Sequence, residues 1–86
     1  MSVETLRRQI DRIDANILRL LNRRAALGLR VGMLKKRQGR HLFDPRRERT
    51  VLHQVTRANH GPLPPRAVRT IYREILRQIR RLERSA

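Results

Sequence analysis

From Leu6 to Leu34 the apolar residues return at alternating gaps of four and three: Leu6, Ile10, Ile13, Ile17, Leu20, then Leu27, Val31 and Leu34. This spacing predicts a heptad seam along one face of a single long helix. One beat is out of pattern, because Arg24 stands where an apolar residue is due. Ser2 suits the N-cap with Glu4 in the first turn, and the helix is expected to reach Lys36 or Arg37, before Gly39. "GRHLF" reads as a loop, and Asp44-Pro45 as the cap and first position of a second helix that turns Val51, Leu52 and Val55 inward and ends near Ala58. "NHGPLPP" breaks the chain again. A third helix, from Pro64 or Pro65, carries Val68, Ile71, Tyr72, Ile75, Leu76, Ile79 and Leu82 on its inner face. No segment alternates with period two. The expected fold is therefore all-α, one domain over residues 1–86, with one long and two shorter helices per chain.

Length changes this picture. A helix of about 34 residues extends roughly 50 Å at 1.5 Å per residue, and two shorter helices cannot cover it in a monomer. The economical arrangement is a homodimer in which the long helices pack on each other and the shorter ones complete a shared core.

Composition narrows the chemistry. Without cysteine there are no disulfides and no thiol-based metal or redox sites. His41, His53 and His60 lack metal-ligand spacing. No apolar run approaches the ~20 residues that span a bilayer, so a cytoplasmic protein without a membrane partner is expected. Lys and Arg number 22 against 7 Asp and Glu, a formal charge of +15, and twenty of the cations are arginine. Such a chain attracts nucleic acids, anionic membranes or small polyanions.

The positions of particular charges discriminate further. Arg24 on the seam either snorkels outward, pairs with a carboxylate such as Asp14 of a second copy, or meets an anionic ligand. Asp44, Arg47 and Glu48 extend the stripe of Val51, Leu52 and Val55 at helical spacing. They are either a cap with solvated first-turn charges or the polar end of a pocket. Glu83 lies four residues beyond Ile79, either inward or on a frayed end. Lys35 sits beside the seam residue Leu34, and Arg7 beside Leu6. Arg7 and Lys35 lie about 40 Å apart along one helix, so only an antiparallel partner brings both to one ligand. Several cations, two or three carboxylates and only Phe43 and Tyr72 as aromatics suit a small, multiply negative molecule better than a nucleic acid, whose readers offer stacking surfaces. No nucleophile–base–orienter set is visible.

These residues resemble the all-helical class of chorismate mutase from about Leu6 to Glu83. The resemblance is carried by "LRRQIDRIDANILRLLNRRAALGLRVGMLK", by "FDPRRER" and by "IYREILRQIRRLE". It implies an intertwined homodimer that converts chorismate, a small dicarboxylate, to prephenate in aromatic amino acid biosynthesis, by a Claisen rearrangement that requires no cofactor and no covalent intermediate. Arg24, Lys35, Asp44, Arg47 and Glu48 match the family's pocket residues of the home chain, and Arg7 matches the arginine supplied by the other subunit. By resemblance the cations hold the two substrate carboxylates, Lys35 also reaches the ether oxygen, Glu48 binds the ring hydroxyl, and Val31 lines the cavity. Such a site works by confining the substrate in its reactive shape and by placing positive charge where negative charge grows.

Two positions depart from the family's pattern. Many members carry glutamine where this chain has Glu83, and a carboxyl there helps the ether oxygen only when protonated. Ile79 stands where a small hydroxyl residue often assists carboxylate binding. The rival readings are an isochorismate pyruvate lyase on the same scaffold, a basic helical nucleic-acid-binding dimer, and a catalytically poor member of the mutase family. The Asp44, Arg47 and Glu48 trio favours the mutase over the lyase. A nucleic-acid binder is disfavoured because the informative cations fall on inner faces.

Overall fold

In the computed structural model, which describes residues 1–86, three helices and no strands account for the chain: α1 over Val3–Arg37, α2 over Pro45–Ala58 and α3 over Pro65–Ser85. Each boundary follows from local chemistry. The Ser2 hydroxyl accepts the Thr5 N–H at 3.1 Å and caps α1. At the other end Gly39 takes φ +65°, a left-handed conformation that glycine adopts without a Cβ clash. This lets the Arg40 N–H return to the Lys35 carbonyl at 2.8 Å. The Asp44 carboxylate accepts the Arg47 N–H at 3.0 Å and caps α2, with Pro45 at its first position. No side chain caps α3, which follows Pro64 and opens on Pro65, where the missing N–H leaves one fewer donor to satisfy.

The third helix organises the molecule. It packs on both α1 and α2, while α1 and α2 make no packing contact with each other. Its buried residues Val68, Leu76 and Ile79 join Val51 of α2 and Gly32 of α1, and these five are all that the chain buries. Leu52, Val55, Tyr72 and Ile75 are half-buried, whereas Ile71 and Leu82 are exposed.

The face of α1 that packs on α3 differs from the one its periodicity marks. The half-buried or buried positions Leu21, Ala25, Gly28, Gly32 and Lys35 form a stripe, small at its centre, one position along from the heptad seam. The seam itself is open, with Ile10, Ile13, Ile17, Leu20, Leu27, Val31 and Leu34 all about half exposed. The physical reason is steric. Gly28 and Gly32 leave room for α3 to approach, so close that a Cβ on Gly28 would stand 2.7 Å from Cγ2 of Ile79. The broad Leu and Ile side chains of the seam allow no such approach. The molecule is accordingly elongated, 55 × 24 × 15 Å. No helix is long and apolar enough to cross a membrane.

Candidate active site

Because α1 and α2 both pack on α3 and not on each other, a space is left between the three. It forms a cavity of about 290 Å³, near the lower end of the ~300–1,000 Å³ common for small-molecule sites. From α1, Arg24, Val31 and Lys35 face it, at the 3.6-residue spacing that aligns them on one side of the helix. The start of α2 contributes Asp44, Arg47 and Glu48, and α3 contributes Ile79, Arg80 and Glu83. Eight of the nine residues marked in the sequence thus surround one space. The ninth, Arg7, is exposed on α1, 17 residues from Arg24 and so about 25 Å along the helix, and does not line it.

Arg24, Lys35, Glu48, Arg80 and Glu83 are partly shielded from solvent, while Arg47 is exposed at the rim. The Lys35 ammonium donates to the Leu42 carbonyl at 3.2 Å, which holds the loop after α1 against the cavity. Across the space, the Arg80 guanidinium donates to Oε2 of Glu48 at 2.6 Å and lies 4.5 Å from the centre of the Phe43 ring. Asp44 caps α2 and borders the cavity at once, so both readings of its position hold. The hydrogen bond from the Arg47 N–H keeps its carboxyl below the usual range, aided by the charges of Lys35, Arg40 and Arg46.

Glu83 behaves oppositely. Burial pushes its carboxyl above the ordinary value, and the Glu48 charge adds to that effect, while Lys35, Arg24 and Arg80 oppose it. Desolvation wins because α3 sits so close to α1: the side chain of Glu83 fills the notch over Gly28 and Gly32, 3.2 Å from where either Cβ would stand. Protonation is therefore easier here than for a glutamate in water.

Three residues that shape the site were not singled out by the sequence pattern. Arg80 is one of many arginines, and only its place four residues after Leu76 marks it as an edge of the inner face. Gly28 and Gly32 carried a better signal, since two glycines inside a helix each cost about 1 kcal/mol relative to alanine and call for a packing reason.

Four cations meet three carboxyls here, and the lining includes no serine, threonine, cysteine or histidine. The chain holds no cluster of side chains suited to a metal ion. Such a wall provides charge and shape, without the hydroxyl, thiol or imidazole of a Ser–His or Cys–His pair. It suits a small anion whose reaction needs electrostatic stabilisation.

Comparison with known proteins agrees with that chemistry. Residues 6–84 match the family model described as chorismate mutase type II. The bifunctional chorismate mutase/prephenate dehydratase of Aquifex aeolicus is 41% identical over 95% of this chain and 24% of its own length. The protein of the same description from Neisseria gonorrhoeae is 41% identical over 91% of this chain and 21% of its own. The chain thus spans less than a quarter of the length of these curated relatives. Two structures of chorismate mutase from Thermus thermophilus superpose with TM-scores of 0.94 (form II) and 0.88 (form I), each at 35% identity. They cover 95% and 90% of this chain, and 93% and 96% of their own chains. With its motifs, its three-helix architecture and nearly its whole length matched, this chain belongs to the chorismate mutase type II family.

Proposed function

We propose that this chain is a chorismate mutase domain over residues 1–86 and that the cavity between its helices rearranges chorismate to prephenate. The observation that carries the proposal is the convergence of Arg24, Lys35 and Arg47 on one space with a carboxyl, Glu83, that burial holds toward its protonated form. In this reading Arg24 and Arg47 pair with the substrate carboxylates, and Lys35 places its charge at the breaking ether oxygen. Glu48 accepts from the ring hydroxyl, near the Asp44 backbone. Protonated Glu83 donates to the ether oxygen. Val31 and Ile79 supply apolar walls that keep the enol-pyruvyl arm folded over the ring. Nothing is transferred to the protein: one carbon–oxygen bond breaks as one carbon–carbon bond forms within the substrate. Confinement and preorganised charge are the contributions the site can make to the rate.

The same proposal includes an antiparallel homodimer that donates Arg7 to the opposite cavity. Its support is the bare seam. The chain exposes 7,293 Å², whereas a compact monomer of its mass exposes about 5,400 Å². The excess, about 1,900 Å² per chain, falls in the range of obligate dimer interfaces. A second opening, about 450 Å³ between α1 and α3, is lined mainly by apolar residues such as Leu18, Leu21, Ile71 and Ile75, and continues the uncovered surface.

The direct test follows chorismate loss spectroscopically with purified protein at two pH values and identifies the product. Prephenate supports the assignment. Salicylate with pyruvate from isochorismate would replace it with the lyase reading. No turnover, joined to DNA affinity that falls steeply with salt, would replace it with a polyanion-binding role.

A further inference from the structure

Arg80 has no role in the reading above, yet its guanidinium is the most engaged cation of the cavity. Its Nη1 donates to Oε2 of Glu48 at 2.6 Å, and its Cζ stands 4.5 Å from the Phe43 ring centre. Phe43 and Glu48 flank the Asp44 cap, so one side chain of α3 holds both sides of the turn that opens α2. The Glu48 side chain has no other hydrogen-bond partner. Both groups are only about a quarter exposed, 23% for Arg80 and 26% for Glu48. Their contact is therefore less screened than a surface pair, and short charge-assisted bonds of this kind are among the stronger ones. The planar guanidinium can bond in its plane while its face lies on an aromatic ring, which an ammonium cannot do.

Charge balance gives the contact a purpose. With Glu83 protonated, the ionised carboxyls of the cavity are Asp44 and Glu48, and without Arg80 they offset two of Arg24, Lys35 and Arg47. One home-chain positive charge would then be left over for a doubly negative ligand, and Arg80 raises that surplus to two. We propose that Arg80 is a positioning residue of this pocket: it orients the Glu48 carboxylate toward the substrate and offsets its charge, leaving Arg24 and Arg47 for the substrate's carboxylates and Lys35 for its ether oxygen. The inference rests on the mutase reading of the cavity and adds to it a residue that acts through Glu48.

Steady-state kinetics with chorismate on the parent, Arg80→Met, Arg80→Lys, Glu48→Gln and the Arg80→Met/Glu48→Gln pair test it, with a thermal melt of each. Arg80→Met should raise KM about ten- to a hundredfold, the worth of one hydrogen bond to a charged group, with a much smaller change in kcat. Arg80→Lys keeps the charge without the stacking and should recover part of the loss. The double variant should be no worse than the poorer single one, because both remove the same interaction. A merely structural tie predicts otherwise: kcat falls with the folded fraction and KM stays put. The proposal is overturned by an unchanged KM in Arg80→Met, or by KM losses that multiply in the double variant. A parent that leaves chorismate untouched would instead overturn the mutase reading, and the two failures are told apart by that first measurement.

Discussion

Glu83 is where a single side chain decides the pH behaviour of the site. Its carboxyl is raised by burial over the Gly28–Gly32 notch, with Glu48 adding and three cations opposing. If the protonated form donates to the ether oxygen, activity is full below the raised pKa and falls as pH climbs through it. The expected outcome is a kcat/KM that declines from pH 5 to 8 in the parent and is nearly flat in Glu83→Gln, whose amide donates at every pH. A parent with no pH dependence would remove Glu83 from that role. Arg24 and Lys35 carry a second prediction at this scale. Loss of one preorganised electrostatic partner typically costs about 2.7–4 kcal/mol of barrier, or 10²–10³ in rate. Arg24→Ala and Lys35→Ala should each lose that much in kcat/KM while keeping the helical circular dichroism of the parent. Arg24 is a partly exposed guanidinium on a seam, not a core residue, so its removal leaves no cavity in a packed interior.

At the scale of elements, the fit of α1 against α3 sets the position of Ile79, Arg80 and Glu83. Gly28→Ala would bring a methyl to 2.7 Å from the Cγ2 methyl of Ile79, a buried, β-branched residue with little freedom to move. Overpacking of this kind costs about 1–3 kcal/mol, against about 1 kcal/mol gained from the better helix former. A lower urea midpoint and a weakened activity are expected. Gly32→Ala is the control. Its methyl would meet the flexible Cγ of Glu83 at 3.2 Å, so the propensity gain should roughly cancel the clash. Equal destabilisation of the two variants would contradict this account of the helix contact. The same contact explains why the stripe of α1 that packs within the chain is not the heptad seam. Periodicity reports where apolar side chains lie, and the closest helix approach is instead governed by where side chains are absent.

For the whole molecule, the prediction concerns which chain supplies Arg7. If each cavity uses Arg24 of its own chain and Arg7 of a second copy, then Arg7→Ala and Arg24→Ala proteins should each be nearly inactive alone. Refolded together in equal amounts, about half of the dimers would be mixed, and each mixed dimer would hold one intact and one doubly deficient cavity. Recovery of about a quarter of the parent activity is expected on that basis, in a species of about twice the 10.3 kDa chain mass by sedimentation. No recovery would mean that Arg7 does not act across chains. The net charge of +15 belongs to this scale as well. It should speed capture of a doubly negative substrate, so kcat/KM is expected to fall with added salt more than kcat does.

The sequence by itself determined the helices, because their signals are local. The Ser2 and Asp44 caps, the prolines at 45 and 65, the stop at Gly39 and the 3.6-residue periodicity each act within one turn of the chain, and the three helices begin and end where these place them. It also marked Arg24, Asp44, Arg47, Glu48 and Glu83 as charges on or continuing an apolar stripe, with Lys35 beside one, since such a placement is visible without coordinates. Only the tertiary structure decided that these charges share one cavity, that Arg80 grips Glu48 there, and that the glycine-centred stripe of α1 is the one that packs. Those facts depend on the approach of helices distant in sequence, which is set by side-chain volume and left unspecified by periodicity.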